Sequence, residues 1–427
     1  MNEDAAFIVD QVDRHHAWFQ ESLCLIASEN VMSPLALEMY LSDFGHRYAE
    51  GLPGKRYYQG NIYVDEVEIR ITEMLRRIFR CELADPRPIS GTVANLAVLF
   101  GLTKPGDTIS TVALSDGAHI STAQFGAVGV RGVKTVTYPW DEENMNIDPD
   151  GAAKLIREVR PKLALFGQSV FLFPTPLREL EEVFLEVDCP VWYDAAHVLG
   201  LIAGGQFQDP LREGAHVISA STHKTLPGPQ HGVILANPKD EDMEKALRRA
   251  IFPGVVSNHH LHAMAALGIA LAEWEAFGAE YAAQVVRNAQ ALGQALHERG
   301  MRVLGEHLGF TASHALAVDV SEEGGGAQVA LDLEQANLIT NKNLLSGDTS
   351  PVKPSGIRLG SQELTRLGMG PAEMEEVADL IARIAVKKEK PEVVAPDVSE
   401  LASQFRKVKY SFHPEADAYR RHVLVSG

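Results

Sequence analysis

The chain has 427 residues, 45% hydrophobic and 22% charged, a composition typical of a folded globular protein with roughly two or three domains; it excludes disordered and collagen-like chains. With 39 Lys and Arg against 57 Asp and Glu, the net charge of −18 opposes nonspecific binding to nucleic acid or to an anionic membrane. Three widely spaced cysteines without a CxxC motif predict a reducing, cytoplasmic location and no structural metal.

The N-terminal segment is predicted to form an arm over residues 1–30. Its apolar residues recur at helical spacing from Ala5 to Phe19, and its first residues are acidic, so no secretory signal is expected. A second helix is predicted from Val64 to Phe79, with Asp65 and Glu66 in the first turn, where the helix dipole favours negative charge. No stretch of about 18 apolar residues suggests a membrane span.

Short apolar runs alternate with helical patterns between residues 82 and 236. Several of these runs are apolar on both faces, which favours a parallel or mixed sheet covered by helices on both sides. We therefore expect a large α/β domain over residues 31–285. The runs interpreted as strands are DTISTV, VKTVTY, KLALFG, CPVWYD, HVISAS and GVILAN.

A smaller α/β domain is predicted over residues 286–427. Two helices lead into it, Asn258–Tyr281 and Ala283–Arg299, the first capped by Asn258, and they place the boundary near residues 280–290. The stretch Lys387–Pro396 is interpreted as a linker before a last helix. Within the domain we expect strands near 301–304 and 315–320 and helices near 327–336 and 371–387.

Lys224 is the first candidate for chemistry. It follows the predicted strand HVISAS within STHKTLPGPQHG, at the end of a strand and before a Gly/Pro turn. A lysine desolvated in a crevice can act as an amine nucleophile toward a carbonyl, although a single loop lysine is more often a surface residue.

Asp194 ends another predicted strand, in CPVWYDAAHVLG, and His197 follows it. Carboxyl ends of strands are where α/β sheets bind ligands, and pyridoxal phosphate enzymes pair a lysine with an acid for the ring nitrogen. The alternatives are a helix N-cap for Asp194 and a hydrogen-bonded core residue for His197.

Ser90, Gly91 and Thr92 open a predicted helix in ISGTVANLAV. Free N–H groups and the helix dipole at such a turn bind phosphate, while the simpler interpretation is an N-cap. A Walker loop is excluded, because GLPGKR at Gly51 lacks the required spacing.

Taken in order, a set of motifs resembles the serine hydroxymethyltransferase family of pyridoxal-phosphate-dependent fold type I enzymes. The resemblance covers about residues 20–385 and implies an aminotransferase-like fold, with a mostly parallel seven-stranded sheet and a smaller C-terminal domain. The motifs are ESLCLIASENVMSP, RYAEGLPGKRYYQGNIYVDEVE, SGTVANLAV, LSDGAH, YDAAHVLGL, STHKTLPGP, FPG and SGIRLG.

The resemblance implies a role for each matching residue. Lys224 would hold the cofactor covalently, Asp194 would pair with its ring nitrogen, and His119 would stack on the ring. Arg358, with Ser28, would bind the carboxylate of the amino acid, for which a planar guanidinium is suited. The remaining cofactor contacts would be Ser90, Gly91 and Thr92 at the phosphate, Ser169 and His197 near the phenolic oxygen, and Thr222, His223 and Gly254.

The resemblance also implies a homodimer with shared active sites. Tyr48, Glu50 and Tyr58 would reach the site of the neighbouring subunit, where Glu50 would be the acid/base group. Whether dimers pair into tetramers stays open. Positions that contact a reduced pterin in the family are Leu114, Ile120 and Asn343, although a core role fits Leu114 and Ile120 equally well.

Three segments depart from the family pattern. FPG is followed by VVSNHHLH instead of Gly-Gly-Pro, and we expect a histidine there to contact phosphate and His259, His260 and His262 to hold no metal. Asp116 stands where the family has histidine, and Lys353-Pro354 replaces Val-Thr.

The predicted function is interconversion of serine and glycine with transfer of a one-carbon unit to tetrahydrofolate or a related reduced pterin. The alternative is a pterin-independent aldolase or transaldolase acting on threonine, an α-methylated serine or another β-hydroxy amino acid. A catalytically idle homologue is disfavoured by the joint presence of Lys224, Asp194, Glu50 and Arg358.

Overall fold

Four predicted helices are present with similar bounds, at Glu3–Gln20, Ile62–Phe79, Gly326–Gln335 and Pro371–Ala385. The computed structural model describes residues 1–348, 352–419 and 424, and no helix among them is long and apolar enough to cross a membrane. Several helices start at a side-chain cap, such as Ser90, whose hydroxyl accepts the Val93 N–H. The α-helices are α1 (Glu3–Gln20), α2 (Pro34–Tyr40), α3 (Ile62–Phe79), α4 (Gly91–Leu102), α5 (Ala127–Arg131), α6 (Pro149–Val159), α7 (Leu177–Val187), α8 (Leu199–Ala203), α9 (Glu241–Arg249), α10 (Leu261–Glu298), α11 (Gly326–Gln335), α12 (Gln362–Arg366), α13 (Pro371–Ala385) and α14 (Pro391–Gln404).

The strands form one large sheet, one smaller sheet and three short pairs within the described residues. All six predicted apolar runs are strands of the large sheet. The strands are β1 (Leu23–Cys24), β2 (Gly51–Leu52), β3 (Lys55–Arg56), β4 (Leu83–Asp85), β5 (Thr108–Thr111), β6 (Lys134–Thr137), β7 (Trp140–Asp141), β8 (Asn146–Ile147), β9 (Leu163–Phe166), β10 (Val191–Asp194), β11 (Val217–Ser221), β12 (Gly232–Ala236), β13 (Arg302–Val303), β14 (Ala315–Asp319), β15 (Leu338–Ile339), β16 (Asn341–Asn343) and β17 (Gly356–Gly360).

The large sheet has seven strands in the order β4-β12-β11-β10-β9-β5-β6. Strands β11, β10, β9, β5 and β6 run parallel, and β12 runs antiparallel to both of its neighbours. Both faces are buried, since in β10 Val191 and Tyr193 pack into one hydrophobic core and Trp192 into another. The parallel strands therefore present their carboxyl ends along one edge of the sheet.

The smaller sheet, in the order β13-β14-β17-β16, lies in a separate hydrophobic core together with α11, α13 and α14. Helix α10 joins the two regions: Tyr281 and Val285 belong to the core of the large sheet, and Leu292 and Leu296 to that of the small one. Leu23 of β1 also packs in the second core. The division at residue 285 stays a prediction, and it falls inside a continuous helix.

Three local predictions are wrong. The predicted pair of helices is the single helix α10, because the sequence around Ala282 contains no breaker. Asn258 does not cap it: the helix begins at Leu261, and the Asn258 side chain accepts the Ala49 N–H at 2.9 Å. The proposed linker at 387–396 is largely helical, since α14 starts at Pro391, where proline is favoured in the first turn.

Candidate active site

A cavity of about 710 Å³ opens at the carboxyl edge of the large sheet. Loops after β5, β9, β10 and β11 line it, together with the start of α4, the residue Ser28, and Asn343 and Arg358 of the small sheet. This is the position at which open α/β sheets bind ligands. The predicted residues that line it are Ser28, Ser90, Gly91, Thr92, Leu114, His119, Ile120, Ser169, Asp194, His197, His223, Lys224, Asn343 and Arg358.

Lys224 is buried three residues beyond β11. Burial lowers the pKa of its ammonium to about 8; Asp194 opposes that shift and Arg358 adds to it. The Asn30 amide fixes the loop by donating to the Lys224 carbonyl oxygen at 2.6 Å. An amine with a pKa near neutrality is partly deprotonated at pH 8 and can attack a carbonyl.

Asp194 lies at the last position of β10 and does not cap the following helix, whose N-cap is Val198. Its Oδ1 accepts the Ala196 N–H at 3.0 Å, and its Oδ2 accepts the Asn95 amide at 2.9 Å. These two donors hold the buried Asp194 carboxylate in one orientation on the cavity lining.

The start of α4 supplies the N–H groups of the expected phosphate site. Ser90 is the N-cap, and Gly91 and Thr92 follow it. A Cβ atom at Gly91 would lie 2.3 Å from Ser221 Oγ, so a glycine here permits the close approach of α4 to the end of β11. The helix dipole and the free N–H groups at this end favour an anion.

His119 lines the cavity and is held through Nδ1. That nitrogen accepts the Ser121 N–H at 3.1 Å and lies 2.7 Å from the Ser121 hydroxyl. Burial lowers the pKa of His119; Asp194 opposes the shift, while Lys224 and Arg358 reinforce it. The ring is therefore neutral at pH 7 and carries its proton on Nε2.

His197 and Arg358 complete the wall opposite α4. His197 Nδ1 lies 3.4 Å from Nε2 of buried His314, which is itself 3.0 Å from the Ala27 carbonyl oxygen. Burial lowers the pKa of both histidines, that of His314 to about 3. Arg358 Nη1 donates to the Ser169 carbonyl at 2.9 Å, and burial lowers the pKa of the guanidinium to about 10, so it remains charged at neutral pH.

Tyr48, Glu50 and Tyr58 are not among the residues that line this cavity in the described part of the chain. Tyr48 and Tyr58 are exposed, with ring centroids 4.7 Å apart. Their segment is held by buried Arg56, which pairs with Asp65 and Glu68 and donates to the carbonyls of Ala49 and Gly51.

Thr222 and Gly254 also lie off the cavity lining. The Thr222 hydroxyl donates to the Pro229 carbonyl at 2.7 Å, and Gly254 sits in the irregular turn Ala250–Val255 after α9. His223 does line the cavity, and its Nδ1 is buried without a hydrogen-bond partner among the described residues. Of the neighbouring histidines, His259 is buried with Nε2 3.4 Å from Glu68.

Sequence reasoning missed several residues of the site. Asn95, Ser121, Gln168 and Ser221 line the cavity, and His314 supports His197 from behind. Asn95 lies inside the apolar helix α4 and within the motif SGTVANLAV, of which the sequence analysis used only Ser90, Gly91 and Thr92. Its separation of three to five residues from Ser90–Thr92, about one helical turn, was the available indication that it faces the same cavity.

Comparisons with known proteins show the family and the fold of the chain. The sequence model of the serine hydroxymethyltransferase family matches residues 1–381. The serine hydroxymethyltransferase of Thermoplasma volcanium is 56% identical over 425 residues, 99% of each chain, and that of Methanopyrus kandleri is 54% identical over 412 residues, 96% of each chain. Crystalline L-threonine transaldolase from Pseudomonas fluorescens superposes with a TM-score of 0.88 at 29% identity, covering 97% of this chain and 96% of that one, which confirms the predicted fold class. The chain belongs to the serine hydroxymethyltransferase family.

Proposed function

We propose that the chain interconverts serine and glycine, with pyridoxal 5′-phosphate as cofactor and tetrahydrofolate or a related reduced pterin as one-carbon carrier. As a family member it is an enzyme of the transferase class. The observation that carries the proposal is the convergence of Lys224, Asp194 and Arg358 on one cavity. A buried lysine, a buried carboxylate and a buried guanidinium match the three chemical needs of an amino acid bound to this cofactor.

The cavity fits the cofactor in charge and in hydrogen bonding. Ser90, Gly91 and Thr92 offer hydroxyl and N–H donors for the phosphate at the start of α4. The partnerless Nδ1 of His223 is a buried polar atom at the cavity wall that a ligand can satisfy. When bound, pyridoxal phosphate supplies an electron sink for the bond that breaks at the amino acid Cα.

Each residue of the site has a separate proposed role. Lys224 would hold the cofactor through its amine, which its lowered pKa leaves partly uncharged. Asp194 would pair with the ring nitrogen of the cofactor. Arg358 binds the amino acid carboxylate and so orients the Cα substituents, with Ser28 assisting. Leu114, Ile120 and Asn343 lie on the lining where the pterin would be held.

The minimal active unit is proposed to be a homodimer. Glu50, the proposed acid/base group, does not line the cavity of its own chain, and next to it Leu52, Tyr57, Ile62 and Tyr63 are all exposed. Exposed apolar clusters of this kind mark protein–protein contacts. A second copy covering this surface would bring Tyr48, Glu50 and Tyr58 to the neighbouring cavity. A cytoplasmic location also stays a prediction, supported by three buried free cysteines.

The alternative, a pterin-independent aldolase or transaldolase, is favoured by one observation, the structural match to a threonine transaldolase. The two functions differ in their co-substrate. We expect the purified protein to bind pyridoxal phosphate, seen as a visible absorbance band, and to cleave serine at a useful rate only when a reduced pterin is added. Equal rates without pterin, or faster cleavage of threonine, would favour the alternative.

Lys224→Ala supplies the matched test of the site. We expect it to abolish serine turnover, whereas Lys154→Ala, at a side chain 77% exposed on α6, leaves turnover unchanged. Wild-type turnover by the Lys224 variant would contradict the proposal.

A further inference from the structure

A continuous chain of hydrogen bonds runs beneath the cavity floor, and its first part ends at Asn95. The Trp192 indole Nε1 donates to Ser219 Oγ at 2.7 Å, and Ser219 Oγ donates to Asn95 Oδ1 at 2.7 Å. Trp192 and Ser219 are fully buried and Asn95 is 2% exposed. Water therefore does not compete with these bonds, and each polar atom is satisfied within the protein.

The Asp194 carboxylate is an acceptor, so the end of the Asn95 side chain that contacts it is the amide nitrogen. The other end is therefore Oδ1, which accepts the proton of Ser219 Oγ, while Ser219 Oγ itself accepts from the Trp192 indole. The amide nitrogen consequently faces the opposite side, toward the cavity.

In the second part of this hydrogen-bond network, the Asn95 amide donates both of its protons. Asn95 Nδ2 donates to Asp194 Oδ2 at 2.9 Å and to Ser121 Oγ at 3.1 Å. Ser121 Oγ, having accepted, donates to His119 Nδ1 at 2.7 Å. One amide thus contacts the carboxylate beneath the cavity and, through a single hydroxyl, the imidazole on the cavity wall.

We propose that Asn95 is the positioning residue that fixes the orientation of the Asp194 carboxylate and the Nε2–H tautomer of His119 together. This inference rests on the proposed function, because both side chains are expected to meet the pyridine ring, Asp194 at its nitrogen and His119 on its face. Asn95 lies on the cavity lining, and its amide hydrogen bonds are directed to Asp194 and Ser121. It acts through its two neighbours.

Helix α4 gives the arrangement a geometric basis. Ser90, at its N-cap, belongs to the expected phosphate site, and Asn95 lies little more than one turn further along the same rigid helix. The helix thereby spans the two ends of the cofactor. A change at Asn95 should alter the electronic state of the ring without disturbing the phosphate contacts.

Asn95→Leu in the holoenzyme tests the inference. It keeps the branched shape and the number of side-chain heavy atoms but removes the amide donors and the acceptor. A hydrogen bond to a charged group contributes enough that we expect roughly tenfold weaker cofactor binding, and a shift of about one unit in the pH at which the visible band of bound pyridoxal phosphate changes. Ser219→Ala, which frees the amide to reorient, should shift the same midpoint in the same direction by less.

Asn288→Leu is the matched control. Asn288 is also fully buried, and its amide donates to Thr365 Oγ1 at 2.8 Å and to the Met369 carbonyl at 2.9 Å, outside the cavity lining. We expect it to lower the melting temperature while the titration midpoint stays at the wild-type value. Wild-type midpoints and cofactor affinity in both Asn95→Leu and Ser219→Ala would overturn the inference. A wild-type protein that shows no cofactor band would overturn the proposed function as well.

Discussion

Arg358 and Ser169 join the small sheet to the large one: the guanidinium on β17 donates to the carbonyl oxygen in the loop after β9 at 2.9 Å. Nε contacts Asn341 Oδ1 at 3.3 Å, and the remaining donor capacity of the guanidinium can bind a carboxylate in the cavity. The bond to Ser169 also sets the distance between the two walls. The proposed carboxylate site therefore depends on how the two sheets are held together.

Arg358→Lys should raise the KM for serine by about 10²-fold or more with a smaller change in kcat, because an ammonium cannot make the paired hydrogen bonds of a guanidinium. Steady-state kinetics with saturating pterin measure this. Asn341→Ala is the control, since it removes the 3.3 Å contact to Arg358 Nε and the Asn341 bond to the Lys342 carbonyl but keeps the guanidinium. An unchanged KM in Arg358→Lys would refute the assignment of Arg358 to the substrate carboxylate.

Mixing two inactive variants tests whether sites are shared. Lys224→Ala and Glu50→Gln homodimers should each be inactive, but a hybrid dimer carries one cavity with both native groups. After random reassortment in a two-fold symmetric dimer, we expect about a quarter of the wild-type activity to return. No recovery after verified subunit exchange would show that each chain supplies its own Glu50.

Gly200→Ala should displace the loop that carries Lys224. A Cβ atom at Gly200 would lie 2.4 Å from the backbone carbonyl of Thr225, and a backbone atom cannot rotate away. We expect a loss of roughly 1–3 kcal/mol in unfolding free energy and weaker cofactor binding. Gly45→Ala, whose Cβ would meet nothing nearer than 3.5 Å, should match the wild type in both measurements. Equal stability and affinity in Gly200→Ala would contradict the close packing of α8 on this loop.

The buried carboxyl of Glu363 should make stability depend on pH. Burial raises its pKa to about 7, and Tyr419 donates a hydrogen bond to it. Above pH 4.5 the Glu363 carboxyl of the unfolded chain loses its proton, whereas the buried carboxyl of the folded chain keeps it until about pH 7. The stability that the protonated carboxyl provides is therefore fully present at low pH and is lost as the pH rises through about 7. Glu363→Gln should therefore gain stability over the wild type between pH 5 and 8, by up to about 3 kcal/mol.

Melting curves across this pH range measure the difference. Glu392→Gln, at a side chain 71% exposed on α14, should give a curve parallel to that of the wild type. A Glu363→Gln curve that is also parallel would show that this carboxyl does not titrate in the range.

The fold was largely predictable because its signals are local. Strands such as Leu163–Phe166 are continuous apolar runs, and these are distinctive when both faces are buried. Strand β4 was missed because Leu83–Asp85 spans only three residues, bounded by Glu82 and Pro86. The false break near Ala282 arose because α10 changes the core it faces, and the apolar stripe shifts with it.

The site was predictable only where a motif carried it. Lys224 and Arg358 lie in distinctive runs, whereas Asn95 and His314 act through contacts between residues distant in sequence, such as Asn95 with Asp194. No pattern along the chain encodes those distances. The incorrect capping role of Asn258 has the same origin, since its partner Ala49 is remote in sequence.

Helix α10 has a mechanical consequence. Its 38 residues, about 57 Å, pass from one hydrophobic core into the other without interruption. The backbone torsions of a regular helix are all fixed by its hydrogen bonds. The connection near residue 285 is therefore rigid and cannot act as a hinge between the two sheets. Opening of the cavity therefore requires weaker contacts to break, such as the hydrogen bond between Arg358 and the loop that follows β9. If either region were expressed alone, the apolar residues of α10 that pack in the other core would be exposed to water. Heating should therefore unfold both regions in a single cooperative step.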